Sequence, residues 1–106
     1  MPEGPSVTPT EAVPDRGSRV RVPAHVVHRS FPTETVVLNL ETGIYHGLNP
    51  TAGRMLETVE GAETIGRAAA LLAAEFKQPR SLVEHDLCEL CRALLERGLV
   101  VLDAEG

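Results

Sequence analysis

Aromatic residues are scarce in this sequence, whose 106 residues include two Phe, one Tyr and no Trp. A core must therefore be built mainly from Leu, Val and Ala, and hydrophobic residues make up 42% of the chain, enough for one domain. No apolar run approaches the roughly 18 residues that a membrane span needs. The N-terminus also lacks the basic and apolar regions of a signal peptide. These absences predict a cytoplasmic protein that does not cross a membrane.

Positive charge is also in short supply. Lys and Arg total 10 against 15 Asp and Glu, which gives a net charge of −5. Proteins gain much of their affinity for nucleic acids from Lys and Arg side chains that displace counterions from the phosphates. The composition therefore argues against a nucleic-acid partner.

The chain has only two cysteines, Cys88 and Cys91, which follow His85 at three-residue intervals on a predicted helix. A structural zinc site usually needs four ligands, and a second Cys or His pair at a suitable spacing is absent. A reactive CxxC pair lies at a helix N-terminus, whereas this pair lies in the middle of its helix. We therefore expect both cysteines to fill the core, and we predict no metal and no other cofactor.

No group of residues predicts catalysis. His25, His28 and His46 fall on predicted strands or at their edges, and no Ser, Cys or carboxylate has the spacing of a nucleophile system. A glycine-rich phosphate loop is also missing. We predict that the protein is not an enzyme and has no catalytic residues.

The first two dozen residues hold five of the eight prolines and show no apolar periodicity. Such a segment buries too little surface to offset the entropy lost on ordering. We predict that residues 1–22 form a flexible, Pro-rich tail, with a docking arm for a partner as the alternative. Residues 23–106 would then form the folded domain.

Three strands are predicted at the start of this domain. They cover residues 25–31, 35–40 and 44–48, and the second, TVVLNL, is rich in β-branched residues. A tight turn at residues 41–43, in which Gly43 takes a positive φ, joins the second strand to the third.

Three helices follow. Asn49 caps the first helix, which begins at Pro50 and runs to about Val59. The second spans residues 64–76, and the third begins with a capping box at Ser81 and Glu84 and ends at Gly98. Residues 99–102 form an apolar tail that folds back on the core. The predicted fold is α+β and winged helix-turn-helix-like, with a three-stranded antiparallel sheet followed by three helices.

This order of elements also raises the possibility of DNA binding through the third helix. Residues 84–97 of that helix, however, carry four acidic residues against two arginines. The charge is wrong for a surface that approaches phosphates, so an acidic winged-helix regulator stays only as an alternative.

The sequence resembles the PqqD-like family of recognition elements, which bind the leaders of ribosomally made, post-translationally modified peptides. The resemblance rests on the run VVLNLETGIYHGLNPTAGRML and on DLCELCRALLERGLV, within about residues 25–102. The most specific features are Gly43-x-Tyr45-x-x-Leu48-Asn49 and the later Asp86-Leu87…Arg97-Gly98-Leu99. The Pro-rich N-terminal extension has no counterpart.

The resemblance implies a non-catalytic protein that binds a precursor leader peptide and presents it to a leader peptidase or another modifying enzyme. The Leu-Asn-Pro-Thr junction looks most like the lasso-peptide members, and a PqqD-type chaperone of a radical SAM enzyme is the alternative. The leader would add as a strand beside residues 44–48 and lie against the third helix. The predicted peptide-binding residues are Ile44, Tyr45, His46, Gly47, Leu48, Val83, Asp86, Leu87 and Leu90. For Val83, Leu87 and Leu90 a purely structural place in the core is the alternative.

Overall fold

The computed structural model describes residues 13–103 of the chain. Its main sheet is antiparallel and has three strands in the order β2-β3-β4: β2 is Val26–Ser30, β3 is Thr35–Asn39 and β4 is Ile44–Leu48. The β3–β4 turn places Gly43 at a φ of 75°, as predicted, which is a conformation that glycine adopts without strain. The predicted α+β fold, with this sheet followed by three helices, is confirmed.

The three helices are α1 (Pro50–Gly61), α2 (Ile65–Phe76) and α3 (Arg80–Glu96). The predicted cap of α1 is present, since the Asn49 side chain accepts a hydrogen bond of 2.8 Å from the Ala52 N–H. The predicted capping box at Ser81 is wrong, because the N-cap of α3 is Pro79, two residues earlier, and it makes no side-chain cap. None of the described helices is long and apolar enough to span a membrane.

The segment before the main sheet departs from the prediction. Residues 1–12 lie outside the described residues, but residues 13–22 pack on the domain, so the predicted tail of residues 1–22 extends too far. Strand β1 (Val20–Arg21) pairs antiparallel with β5 (Val101–Leu102), and Val20 is buried. The carbonyls of Arg16 and Ser18 accept hydrogen bonds from the first backbone N–H groups of α2, at 2.8 and 2.9 Å. These contacts offset the entropy that residues 13–22 lose on ordering. The amino-acid composition of the segment does not reveal them, because they depend on α2 and β5.

The core lies between the inner face of the main sheet and the three helices. It is aliphatic, as the scarcity of aromatic residues predicts, and its largest fully buried side chains are Leu56, Ile65, Leu72, Leu87, Leu94 and Leu99. Helix α1 contacts β3, β4, α2 and α3, so it connects the sheet to the helical layer.

Candidate functional site

Strand β4 is an edge of the main sheet, with β3 as its one neighbour among the described strands. In the β2–β3 hairpin, Phe31 and Glu34 exchange backbone hydrogen bonds of 2.7 and 3.3 Å. Because such pairs alternate along an antiparallel ladder, Thr35, Val37 and Asn39 direct their backbone groups to β4.

The β3–β4 register then decides which backbone groups of β4 remain open. Thr35, Val37 and Asn39 are opposite Leu48, His46 and Ile44, so these three residues of β4 bond to β3. The backbone N–H and C=O groups of Tyr45 and Gly47 point away from the sheet instead. The edge therefore offers two residues whose backbone groups another strand can pair with.

The side chains of β4 alternate between the two faces of the sheet. Tyr45, which is 67% exposed, and Gly47 belong to the outer face, whereas Ile44, His46 and Leu48 belong to the helix side. Ile44 is exposed, His46 is half-buried and Leu48 is buried. Of the five predicted binding residues on this strand, Leu48 is thus a core residue rather than a contact surface.

The predicted groove wall on α3 needs a correction. Val83 and Leu87 are 3% and 0% exposed and belong to the hydrophobic core, so they present no surface to a ligand. Asp86 is exposed and Leu90 is half-buried, so both remain available. The alternative that these apolar side chains are structural therefore holds for Val83 and Leu87 and only in part for Leu90.

One side of α3 is covered by the N-terminal segment. Arg16 Nε lies 3.3 Å from the Glu84 carboxylate. At 100° per residue, Glu84 and Cys88 lie on one side of the buried stripe of the helix, and a second set of residues lies on the other. This second side, here named the open flank, consists of Leu82, Asp86, Leu90 and Ala93.

The open flank combines apolar surface with one carboxylate. Leu82 is 46% exposed, Leu90 and Ala93 are half-buried, and Asp86 makes no ion pair within the described part of the chain. Both α3 and β4 contact α1, so the helix and the strand edge flank the same central element. The sequence prediction did not include Leu82 and Ala93 among the surface residues of the third helix. The reason is that the apolar periodicity of this helix follows its buried stripe and not the open flank.

A second apolar surface lies on the outer face of the sheet. Val27, Leu38 and Tyr45 form one row across the three strands, and Arg29, Val36 and Gly47 form the next. All of these residues except Gly47, together with His28 and Phe31, line a shallow pocket of about 580 Å³. A contiguous exposed apolar surface often marks an interaction site, whereas single scattered apolar residues do not.

The groups considered for catalysis or metal binding do not converge. Within residues 13–103, no three His, Cys, Asp or Glu side chains are placed to hold a metal ion. His28 Nε2 lies 2.8 Å from the Glu60 carboxylate, and that pair lies between β2 and α1. Burial raises the pKa of the Cys91 thiol to about 12 and also raises the pKa of Cys88, which is half-buried. These shifts make both thiols poor nucleophiles and poor metal ligands.

The fold and the site together define a small winged-helix-like domain with an open sheet edge on β4 and a largely apolar flank on α3, two elements that both contact α1. The family described as "Coenzyme PQQ synthesis protein D (PqqD)" matches residues 34–100, and the chain belongs to this family. No curated protein is similar enough to be counted as a relative.

Three solved structures are similar to the chain. TbiB1 in complex with the TbiA(beta) leader peptide is 29% identical, with a TM-score of 0.68 over 81% of this chain and 98% of that one. A lasso peptide synthetase B1 complexed with the leader peptide is 23% identical, with a TM-score of 0.70 over 78% of this chain and 98% of that one. The PqqD part of Methylobacterium extorquens PqqCD, a stand-alone recognition element, is 20% identical, with a TM-score of 0.72 over 88% and 98%. The last two likenesses support the fold alone.

Proposed function

We propose that this protein binds the leader of a ribosomally synthesised precursor peptide and has no catalytic activity of its own. The observation that carries the proposal is that the backbone groups of Tyr45 and Gly47 on the edge strand β4 point outward and have no partner strand within residues 13–103. An extended peptide that adds to this edge gains backbone hydrogen bonds without requiring a change in the sheet. Similarity to TbiB1, whose structure contains a leader peptide, supports the same function.

Backbone pairing alone gives modest affinity. Two outward-facing residues provide up to about four hydrogen bonds of roughly 1 kcal/mol each. Micromolar binding requires about 8 kcal/mol. Side chains have to contribute the rest, and one apolar leader residue buried on the open flank adds about 1.5–3 kcal/mol. The peptide-binding residues proposed are therefore Ile44, Tyr45, His46 and Gly47 on the strand, with Leu82, Asp86 and Leu90 on the helix.

Delivery to an enzyme requires a second surface, and we assign it to the outer face of the sheet. Phe31 and Tyr45 are 50% and 67% exposed there, and Tyr45 belongs to the strand that pairs with the leader. A lasso-type leader peptidase is the favoured partner, and a radical SAM enzyme is the alternative. Leu38→Asp, on this face, should abolish co-purification with the partner while leader affinity stays within about twofold. Loss of leader binding in this variant would contradict the assignment.

A direct test of the peptide site compares two exposed leucines. Leu82 lies on the open flank, whereas Leu71, at 57% exposure, lies on the outer side of α2. Leu82→Asp should weaken binding of a fluorescent leader peptide by tenfold or more, and Leu71→Asp should leave it unchanged. Equal effects of the two substitutions would show that the leader does not contact the open flank.

The same titration separates peptide binding from DNA binding. Raising the salt concentration from 50 to 200 mM lowers the affinity of a typical DNA-binding protein by about 10³-fold or more. Apolar and backbone contacts depend little on salt, so the leader affinity should change by less than about threefold. A steep salt dependence, together with binding to duplex DNA, would favour the regulator instead.

A further inference from the structure

Gly47 creates a gap in the outer face at the open edge of the sheet. A Cβ atom built on this glycine would meet one atom within 4 Å, Oε1 of Glu34 at 3.0 Å. Val36 is directly opposite Gly47 on β3, and Tyr45 lies two residues earlier on the same face. The gap, here named the Gly47 notch, therefore has apolar walls and a carboxylate at one end.

The Glu34 carboxylate has no charged partner among the residues that the structure describes. Among residues 13–103 it takes part in no ion pair and accepts no side-chain hydrogen bond, although other carboxylates, such as Glu57, Glu60 and Glu75, do both. Arg29 shares the outer face but lies on β2, on the far side of Val36 from Gly47. The negative charge at the notch is thus available to a ligand.

A peptide strand paired with β4 places one residue opposite Gly47. Because Gly47 and Tyr45 direct their backbone groups outward, that residue forms a hydrogen-bonded pair with Gly47, and its side chain projects onto the outer face. Opposite any other residue type it would meet a Cβ at about 5 Å, whereas here it meets no Cβ and lies beside the Glu34 carboxylate, whose Oε1 is 3.0 Å from the Cβ position. A long side chain can lie across the glycine and contact Val36.

We propose that the leader carries Lys or Arg opposite Gly47, a preference that rests on the function proposed above. The methylene stem covers the glycine and packs against Val36 and the Tyr45 ring, while the charged end reaches the Glu34 carboxylate. Arg also gains from stacking on the exposed Tyr45 ring. The notch thereby makes Glu34 and Gly47 specificity-determining residues that fix the register of the leader on the edge.

A library of random 12-residue peptides displayed on phage tests this preference on the full chain. Peptides are kept when they bind the parent protein but not Tyr45→Pro, which removes an outward N–H from the edge. The kept sequences should share Lys or Arg at one aligned position, and selection on Glu34→Lys should replace it with Asp or Glu. The same basic preference on Glu34→Lys, or no basic preference on the parent, would overturn the proposal.

Affinities of one selected peptide complete the test. Replacing its basic residue with Gln, which keeps most of the methylene stem, should weaken binding to the parent by about two- to fivefold, as expected of an exposed ion pair, and should have little effect on Glu34→Gln. An equal loss on both proteins would refute a role for Glu34. If every selected peptide binds Tyr45→Pro as well as the parent, strand addition to β4 is refuted, and the proposed function with it. If peptides depend on the edge but show no preference for Lys or Arg, only the proposed role of Glu34 and Gly47 is refuted.

Discussion

Proline substitutions on β4 test the strand-addition site most directly, because they separate the backbone that pairs with β3 from the backbone that faces outward. His46 is opposite Val37 in the hydrogen-bonded position, and Tyr45 is in the outward-facing one. Tyr45→Pro should therefore remove a donor that only the leader uses. His46→Pro should remove a donor that the sheet itself uses.

The expected magnitudes differ between the two variants. Loss of the Tyr45 N–H removes one leader hydrogen bond and leaves its acceptor less satisfied, which together cost about 2 kcal/mol, or roughly thirtyfold in affinity. The fold should tolerate this change, since edge strands accept proline where the N–H faces solvent. His46→Pro breaks the ladder opposite Val37, which is 1% exposed, and should cost about 2–4 kcal/mol of stability.

Calorimetry or fluorescence anisotropy with a leader peptide gives the affinities, and a circular-dichroism melt gives the stability of each variant. Tyr45→Ala and His46→Ala are the controls, because they remove the side chains but keep the backbone donors. Tyr45→Pro should bind at least tenfold more weakly than Tyr45→Ala, with a similar melting temperature. If Tyr45→Pro binds as Tyr45→Ala does, the leader does not pair with this edge. If His46→Pro melts like the parent protein, the assigned hydrogen-bond register is wrong.

Three further predictions concern stability and thiol chemistry. Gly53→Ala should lower the melting temperature, because the added Cβ would collide with the Thr35 side chain; overpacking of this kind costs about 1–3 kcal/mol. Gly61→Ala is the control and should leave the melting temperature unchanged, because no atom lies within 4 Å of its Cβ position. Val20→Ala should cost about 1–3 kcal/mol in a denaturant titration, since Val20 is 6% exposed, and an undiminished midpoint would show that β1 adds nothing to the fold. The Cys91 thiol should resist alkylation until the protein unfolds. Burial in the folded protein raises the pKa of this thiol from 9.0 to about 12, so the protonated thiol's contribution to the free energy of unfolding should be lost as the pH increases through that interval. Rapid labelling of the folded protein at pH 8 would contradict the burial of Cys91.

Local chemistry explains why part of the fold could be predicted from the sequence. Strand β4 has the predicted bounds because Gly43 enforces the turn before it and Asn49-Pro50 begins a helix directly after it. Both signals act within a few residues. The edge position of β4 could also be inferred, since a three-stranded meander has its last strand at an edge.

The parts that sequence reasoning missed depend on distant contacts. Strands β1 and β5 have two residues each, too few for a periodic signal. They form because Val20–Arg21 pairs with Val101–Leu102, which lies near the other end of the sequence. The Arg21–Asp103 ion pair, at 2.9 Å, adds to the same contact. Helical periodicity alone also leaves open whether Val83 and Leu87 belong to the core or to a groove, and the packing of α3 on α2 decides for the core.

The charge arrangement on α3 fits the proposed peptide binding better than it fits DNA binding. In a DNA-binding relative of this fold, the third helix would direct cations to the phosphates. Here Arg92 lies 3.8 Å from Glu96 on its own helix, and Arg16, the cation closest to Glu84, is likewise paired. The open flank instead presents Leu82 and one carboxylate, Asp86, which makes no ion pair within residues 13–103. A surface of this composition repels phosphate but can bury the apolar side chains of a ligand. It lies on α3, which contacts α1, and α1 also contacts the edge strand β4.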